Sequence, residues 1–120
     1  MSDGSSFEDL EVWKRSKAFA VEICGILRDC RDYGFRDQIT RSAVSVPSNI
    51  SEGAERPGRA EFRQFLGYAK GSAGELRTQI LIAGDPQYLS ADQTNRMAAE
   101  CRELSRMLWG LMRSISGDQV

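Results

Sequence analysis

Residues 37–53, DQITRSAVSVPSNISEG, decide the fold, because they set an apolar helical stripe beside a polar one with a proline between them. Ile39, Ala43, Val46 and Ile50 recur at steps of four, three and four, which places them on one face of an α-helix and marks that face as core. Ser42, Ser45, Asn49, Glu52 and Arg56 follow the same stepping on the adjacent flank. A ladder of hydrogen-bonding groups therefore runs along the edge of the core. Buried polar groups need partners, so Ser42, Ser45, Asn49 and Glu52 are expected to be at least partly buried against another helix or subunit. Pro47 has no amide to donate and crowds the carbonyl of Ala43, so the helix should bend there unless it ends.

Three further helical segments surround this one. From Leu10 to about Cys30, Val12, Phe19, Ile23, Ile26 and Cys30 form one stripe, with Trp13, Ala20, Cys24 and Leu27 beside it. At about 100° per residue this arc spans nearly half the helix circumference, more than one neighbouring helix covers. Gly34 marks a stop, and the proline-bearing helix is expected from about Phe35 to Glu55. Arg56-Pro57-Gly58 forces a turn, and Glu61-Phe62 opens a third helix that carries Leu66, Ala69, Ala73, Leu76, Ile80 and Ala83 and ends near Gly84. Asp85-Pro86 is a second turn signal, and Ser90 with Gln93 has the form of a capping box. Met97, Cys101, Leu104, Leu108, Leu111 and Ile115 then alternate fours and threes. Connections of roughly three to six residues turn each helix back on its predecessor, which predicts an all-α, antiparallel up-down-up-down four-helix bundle.

With 120 residues the chain allows one domain, residues 1–120, with 1–6 expected to be disordered and 116–120 a frayed tail. Sixteen basic and 17 acidic residues give a net charge of −1, so any nucleic-acid surface must be a local patch. No basic segment followed by an apolar run opens the sequence, and no stretch approaches the roughly 20 apolar residues of a membrane span. A soluble cytoplasmic protein is expected, with no membrane partner. Cys24, Cys30 and Cys101 are odd in number and lack Cys-x-x-Cys spacing, which indicates neither a disulfide framework nor a zinc site. Cys24 and Cys101 fall at apolar helical positions, where a thiol acts as a small hydrophobe.

Histidine is absent, which removes Ser-His-Asp and Cys-His catalysis and the Glu-x-x-His pairs that hold metal in many bundles. Phosphate-cradling glycine loops are missing too, so neither an enzyme nor a cofactor is expected. Arg41, Arg56, Arg59 and Arg63 cluster around the second helix and its exit turn, and guanidinium groups bind phosphate oxygens bidentately. Glu52, Glu55 and Glu61 interleave with them, which favours ion pairing over phosphate binding. Gly67, Gly71 and Gly74 line one face of helix three, where each should cost about 1 kcal/mol relative to alanine, so close approach of another helix backbone is expected there, inside the bundle or across subunits. Residues 107–112, MLWGLM, are apolar on nearly every side. Together with the wide arc of helix one, this predicts a homo-oligomer with Trp13, Trp109 and Met112 in its interface, unless Phe7 and Leu10 fold back over that surface.

These segments resemble the bacterial four-helix bundle family of proteins encoded in intervening sequences of 23S ribosomal RNA genes. The likeness is carried by FEDLEVWK at residues 7–14, by DQITRSAVSVPSNISEG at 37–53, and by Glu61-Phe62, Phe65-Leu66 and GSAGEL at 71–76 before Gln79. It implies assembly as a homopentameric ring. It also implies kinship with the accessory variability determinant of diversity-generating retroelements, which binds nucleic acid and a reverse transcriptase. The accessory proteins are strongly basic, whereas this chain is not. The expected function is thus a noncatalytic oligomeric bundle binding RNA, DNA or a nucleic-acid-processing protein. The alternative is a structural or adaptor oligomer with protein partners only.

Overall fold

A computed structural model describes residues 6–117, and the expectations for 1–5 and 118–120 lie outside the described residues. Four helices, α1 (Glu11–Ile26), α2 (Tyr33–Ala54), α3 (Arg59–Gly84) and α4 (Ala91–Gly117), follow a 3-10 turn at Phe7–Asp9, and the described residues contain no strand. Ser6 belongs to the ordered structure, because it caps the 3-10 turn in a reciprocal box with Asp9.

Local chemistry sets each boundary. Helix α1 ends at Ile26, short of the expected Cys30, because the chain tightens. The Leu27 amide still reaches the Ile23 carbonyl, but Arg28 and Cys30 bond only three residues back. Asp32 caps α2, accepting from the Phe35 amide at 3.2 Å. Helix α2 runs on through Pro47, which is buried, so the proline does not end it and the Ala43 carbonyl goes without its usual helical donor. Helix α3 opens at Arg59, two residues before Glu61, with the Phe62 amide bonded to the Gly58 carbonyl. Ser90 and Gln93 form the expected capping box at α4, at 2.9 and 3.1 Å.

The anticipated stripes are the core. Ile39, Ala43, Val46 and Ile50 from α2, Leu66, Ala73, Leu76 and Ile80 from α3, and Met97, Leu104 and Leu108 from α4 are buried with Phe19 and Ile23 of α1. Helix α2 packs along α3 and α3 along α4. Gly53 meets Phe62 and Phe65, Ser45 meets Ser72, Gly84 meets Thr94, and Arg63 meets Met112. Helix α1 lies against α2 and is tied to α4 by charge. Arg15 donates twice to Glu100, at 2.7 and 2.8 Å, and Arg96 twice to Glu22, at 2.7 and 3.3 Å.

One apolar reading is corrected by these contacts, and the glycine reading is narrowed. Cys24 is exposed, not core, because the buried edge of α1 follows Phe19, Ala20, Ile23 and Leu27 and turns Cys24 outward. Among the α3 glycines, Gly71 and Gly74 have nothing within 4 Å of an added Cβ, and Gly67 meets only the flexible end of Met112 at 3.7 Å. Within the chain, close backbone approach occurs at Gly53 instead, where a Cβ would fall 2.5 Å from Phe65 Cβ.

Candidate nucleic-acid interface

The polar ladder of α2 forms a short chain of hydrogen bonds. Asn49 Nδ2 donates to the Ser45 carbonyl at 2.9 Å and to Ser45 Oγ at 3.0 Å, and the Ser45 and Ser72 hydroxyls are hydrogen-bonded to each other at 2.8 Å. Ser42 is buried, while Ser45 and Asn49 are half-buried at the α2–α3 seam. Glu52 departs from the ladder. Its side chain is 55% exposed and turns toward Arg56 at 3.9 Å, because it lies past the edge of the seam.

The four expected arginines do not form one site. Fifteen residues of helix separate Arg41 from Arg56, about 22 Å at 1.5 Å per residue. Arg41 is exposed beside Asp37, Thr40, Val44 and Ser45. Arg56, Arg59 and Arg63 do gather at the α2–α3 turn, and there they are largely occupied. Arg56 reaches Glu52 and Glu61, each at 3.9 Å, and lies 4.9 Å over the Phe65 ring. Arg63 donates to the Met112 carbonyl at 3.4 Å, and Arg59 has a partner of its own. The expected preference for ion pairing describes Arg56 well.

A different basic surface runs along the α3–α4 face. Arg63, Lys70 and Arg77 are spaced by sevens and share one edge of α3, while Arg102, Arg106 and Arg113 at steps of four and seven share the facing edge of α4. Between them a surface groove of about 450 Å³ is lined by Lys70, Arg102, Ser105, Arg106 and Trp109. Trp109 is 46% exposed there. Among the described residues Lys70 and Arg102 have no ion-pair partner. Arg106 pairs with Glu103, and their shared hydrogen bond raises the guanidinium and lowers the carboxyl from their ordinary values. No acid lines the groove itself. The signal was present in the sequence as cations every seventh residue of α3 and at 102, 106 and 113 of α4, but it becomes a surface only when the two helices are in register.

Trp13 and Met112 have partners inside the chain. Phe7 packs edge-on against Trp13 at 5.1 Å and the Lys17 ammonium lies 5.6 Å from its ring, so the N-terminal turn folds over helix α1 and not over residues 107–112. Met112 packs on the core beside Gly67. Apolar surface is also open between α1 and α2, in a groove of about 300 Å³ lined by Lys17, Ala20, Val21, Cys24, Val44 and Pro47, and at Leu81 and Ile82 of α3. Val21 is 64% exposed and Val44 45%. Cys101 is buried, and that burial pushes its thiol up to about 12 while Arg77 and Arg102 oppose the shift. No described helix is long and apolar enough to cross a membrane.

A model of the family described as 23S rRNA-intervening sequence protein matches residues 8–110. A crystal structure of a protein of unknown function from the S23 ribosomal protein family of Bacteroides thetaiotaomicron superposes with a TM-score of 0.79 at 24% identity, covering 84% of this chain and 97% of that one. At that identity the likeness shows the fold. No curated protein matches the sequence.

Proposed function

The chain belongs to the 23S rRNA-intervening sequence protein family, and from that premise we propose that it is a noncatalytic, homo-oligomeric cytoplasmic bundle that binds nucleic acid through its α3–α4 face. The observation that carries this reading is the groove in which Lys70 and Arg102 stand without ion-pair partners beside an exposed tryptophan. Cations on a chain of net charge −1 attract phosphate only where they are concentrated and unpaired, and this face meets both conditions.

The single domain is read as an antiparallel up-down-up-down bundle. Contacts at 45 with 72 and 53 with 65, then 63 with 112 and 84 with 94, run in opposite order along neighbouring helices. Self-association is assigned to the open groove of Val21 and Val44, and the family resemblance points to five subunits. A ring would repeat the basic face and convert a weak patch into an avid one. The same apolar groove favours the second reading, an adaptor with protein partners only.

Salt-titrated binding of structured RNA, single-stranded DNA and duplex DNA separates the two. Nucleic-acid binding must weaken steeply as salt rises, because each phosphate contact contributes about −0.7 to −0.9 to the log–log slope. Failure of all three to bind at low salt rejects the nucleic-acid reading in favour of the adaptor.

A further inference from the structure

We propose that the α3–α4 groove is built for an unpaired strand, with one base stacked on Trp109 and the flanking phosphates held by Lys70 and Arg102. This rests on the nucleic-acid reading above and goes beyond it, because it names the ligand's form and the residue that selects it.

The argument starts with the indole. Trp109 stands 46% exposed on α4, and no described ring or cation contacts it, whereas Trp13 has both Phe7 and Lys17. A large aromatic face left open among cations is the stacking platform of sequence-tolerant strand binders. In a duplex the base faces are already stacked on one another, so an indole on the protein surface meets only phosphates, sugars and base edges. An unpaired base offers its whole face.

The cations are placed for the same ligand. Lys70 lies across the groove from Arg102 and Arg106, so a strand seated over Trp109 runs between positive charges on both sides. Arg106 is turned partly aside by Glu103, which leaves Lys70 and Arg102 as the two unengaged phosphate contacts. Arg63 and Arg77 lie about 10 Å to either side of Lys70 along α3, at seven residues each, and extend the positive track beyond the groove. Stacking plus flanking phosphate contact is common to RNA and DNA strands.

The test uses the full-length assembled protein and four fluorescent probes of matched length: oligo(U), oligo(dT), a duplex RNA and a duplex DNA. Single strands are expected to bind more tightly than either duplex. Trp109→Ala should weaken single-strand binding about 5- to 150-fold, Trp109→Phe by much less, and duplex binding should change little with either. Lys70→Ala with Arg102→Ala should flatten the single-strand salt slope by about 1.4, two contacts at about 0.7 each. Trp109 is exposed, so Trp109→Ala must keep the parent's helical spectrum and sedimentation. A variant that dissociates overturns the inference by making Trp109 an interface residue. Binding of duplex and single strand alike, indifferent to Trp109→Ala, overturns the inference and leaves the nucleic-acid reading standing. Absence of binding to every probe rejects both. Preference for oligo(U) over oligo(dT), or the reverse, assigns the strand's chemistry and supports the inference either way.

Discussion

Gly53→Ala is expected to destabilise the protein by about 1–2 kcal/mol although it places alanine in a helix. The added Cβ would lie 2.5 Å from Phe65 Cβ, 3.2 Å from Phe62 Cδ1 and 3.3 Å from the Phe62 carbonyl oxygen. Carbon atoms pack at roughly 3.5–4.0 Å, so the closest contact overlaps by about 1 Å. Phe65 Cβ cannot swing away, because it is one bond from the α3 backbone. Relief therefore requires α2 and α3 to separate along the seam that holds the Ser45–Ser72 hydrogen bond. Overpacking of this kind costs about 1–3 kcal/mol. A clash between two Cβ atoms falls in the upper half of that range, about 2–3 kcal/mol, and the gain in helix propensity returns about 1 kcal/mol, which leaves the net loss stated.

Gly74→Ala is the control, since the same change at a site with nothing within 4 Å keeps only the favourable part, about 0.5–1 kcal/mol. At roughly 4 °C per kcal/mol for a chain of this size, the first variant should melt about 4–8 °C lower and the second about 2–4 °C higher. Thermal unfolding followed by circular dichroism measures both, at one protein concentration because self-association shifts Tm. A Gly53→Ala protein as stable as its parent would refute the packing argument. A Gly74→Ala protein several degrees less stable would place another subunit's backbone against that face.

Asn49→Leu removes two bonds to Ser45 but leaves the Ser45–Ser72 pair, and leucine is the better helix former, so urea midpoints should show a loss of roughly 0.5–1 kcal/mol. A loss above about 3 kcal/mol would contradict that accounting. The folded chain holds the Cys101 proton up to about pH 12 against an ordinary 9.0, so its contribution is complete below about pH 9 and is lost as pH rises toward 12. Unfolding free energy should thus fall above pH 9 by up to about 1.4 kcal/mol per pH unit more than in Cys101→Ala, and parallel slopes for the two proteins between pH 8 and 11 would exclude the effect. Val21→Glu and Val44→Glu should keep the helical spectrum but dissociate the assembly in sedimentation velocity, and unchanged sedimentation would remove the α1–α2 groove as the self-interface.

Much of the fold was readable because it depends on local periodicity. The α2 stripe of Ile39, Ala43, Val46 and Ile50, the α3 stripe through Leu66, Ala73 and Ile80, and the Ser90–Gln93 box each follow from residue type and spacing, and the structure places all of them as read. Errors arose where a residue's environment comes from another element. Cys24 has an apolar neighbourhood in sequence yet faces outward, because α2 covers a different edge of α1. Glycine showed the same division. Gly71 and Gly74 attract notice by spacing but meet nothing within their own chain, while Gly53, at the end of the α2 motif, is where two helices of the chain meet.

The candidate site was less legible for a related reason. Arg41, Arg56, Arg59 and Arg63 are close in sequence, and closeness in sequence also supplies their neutralising partners, Glu52 and Glu61. Lys70 and Arg102 are 32 residues apart and escape pairing because neither has an acid one turn away on the groove side. A cation cluster made by one segment tends to be self-compensated at helical spacing. One made by two helices can leave its charges unpaired, as Lys70 and Arg102 are, so the unpaired basic surface is the one that only the α3–α4 register creates.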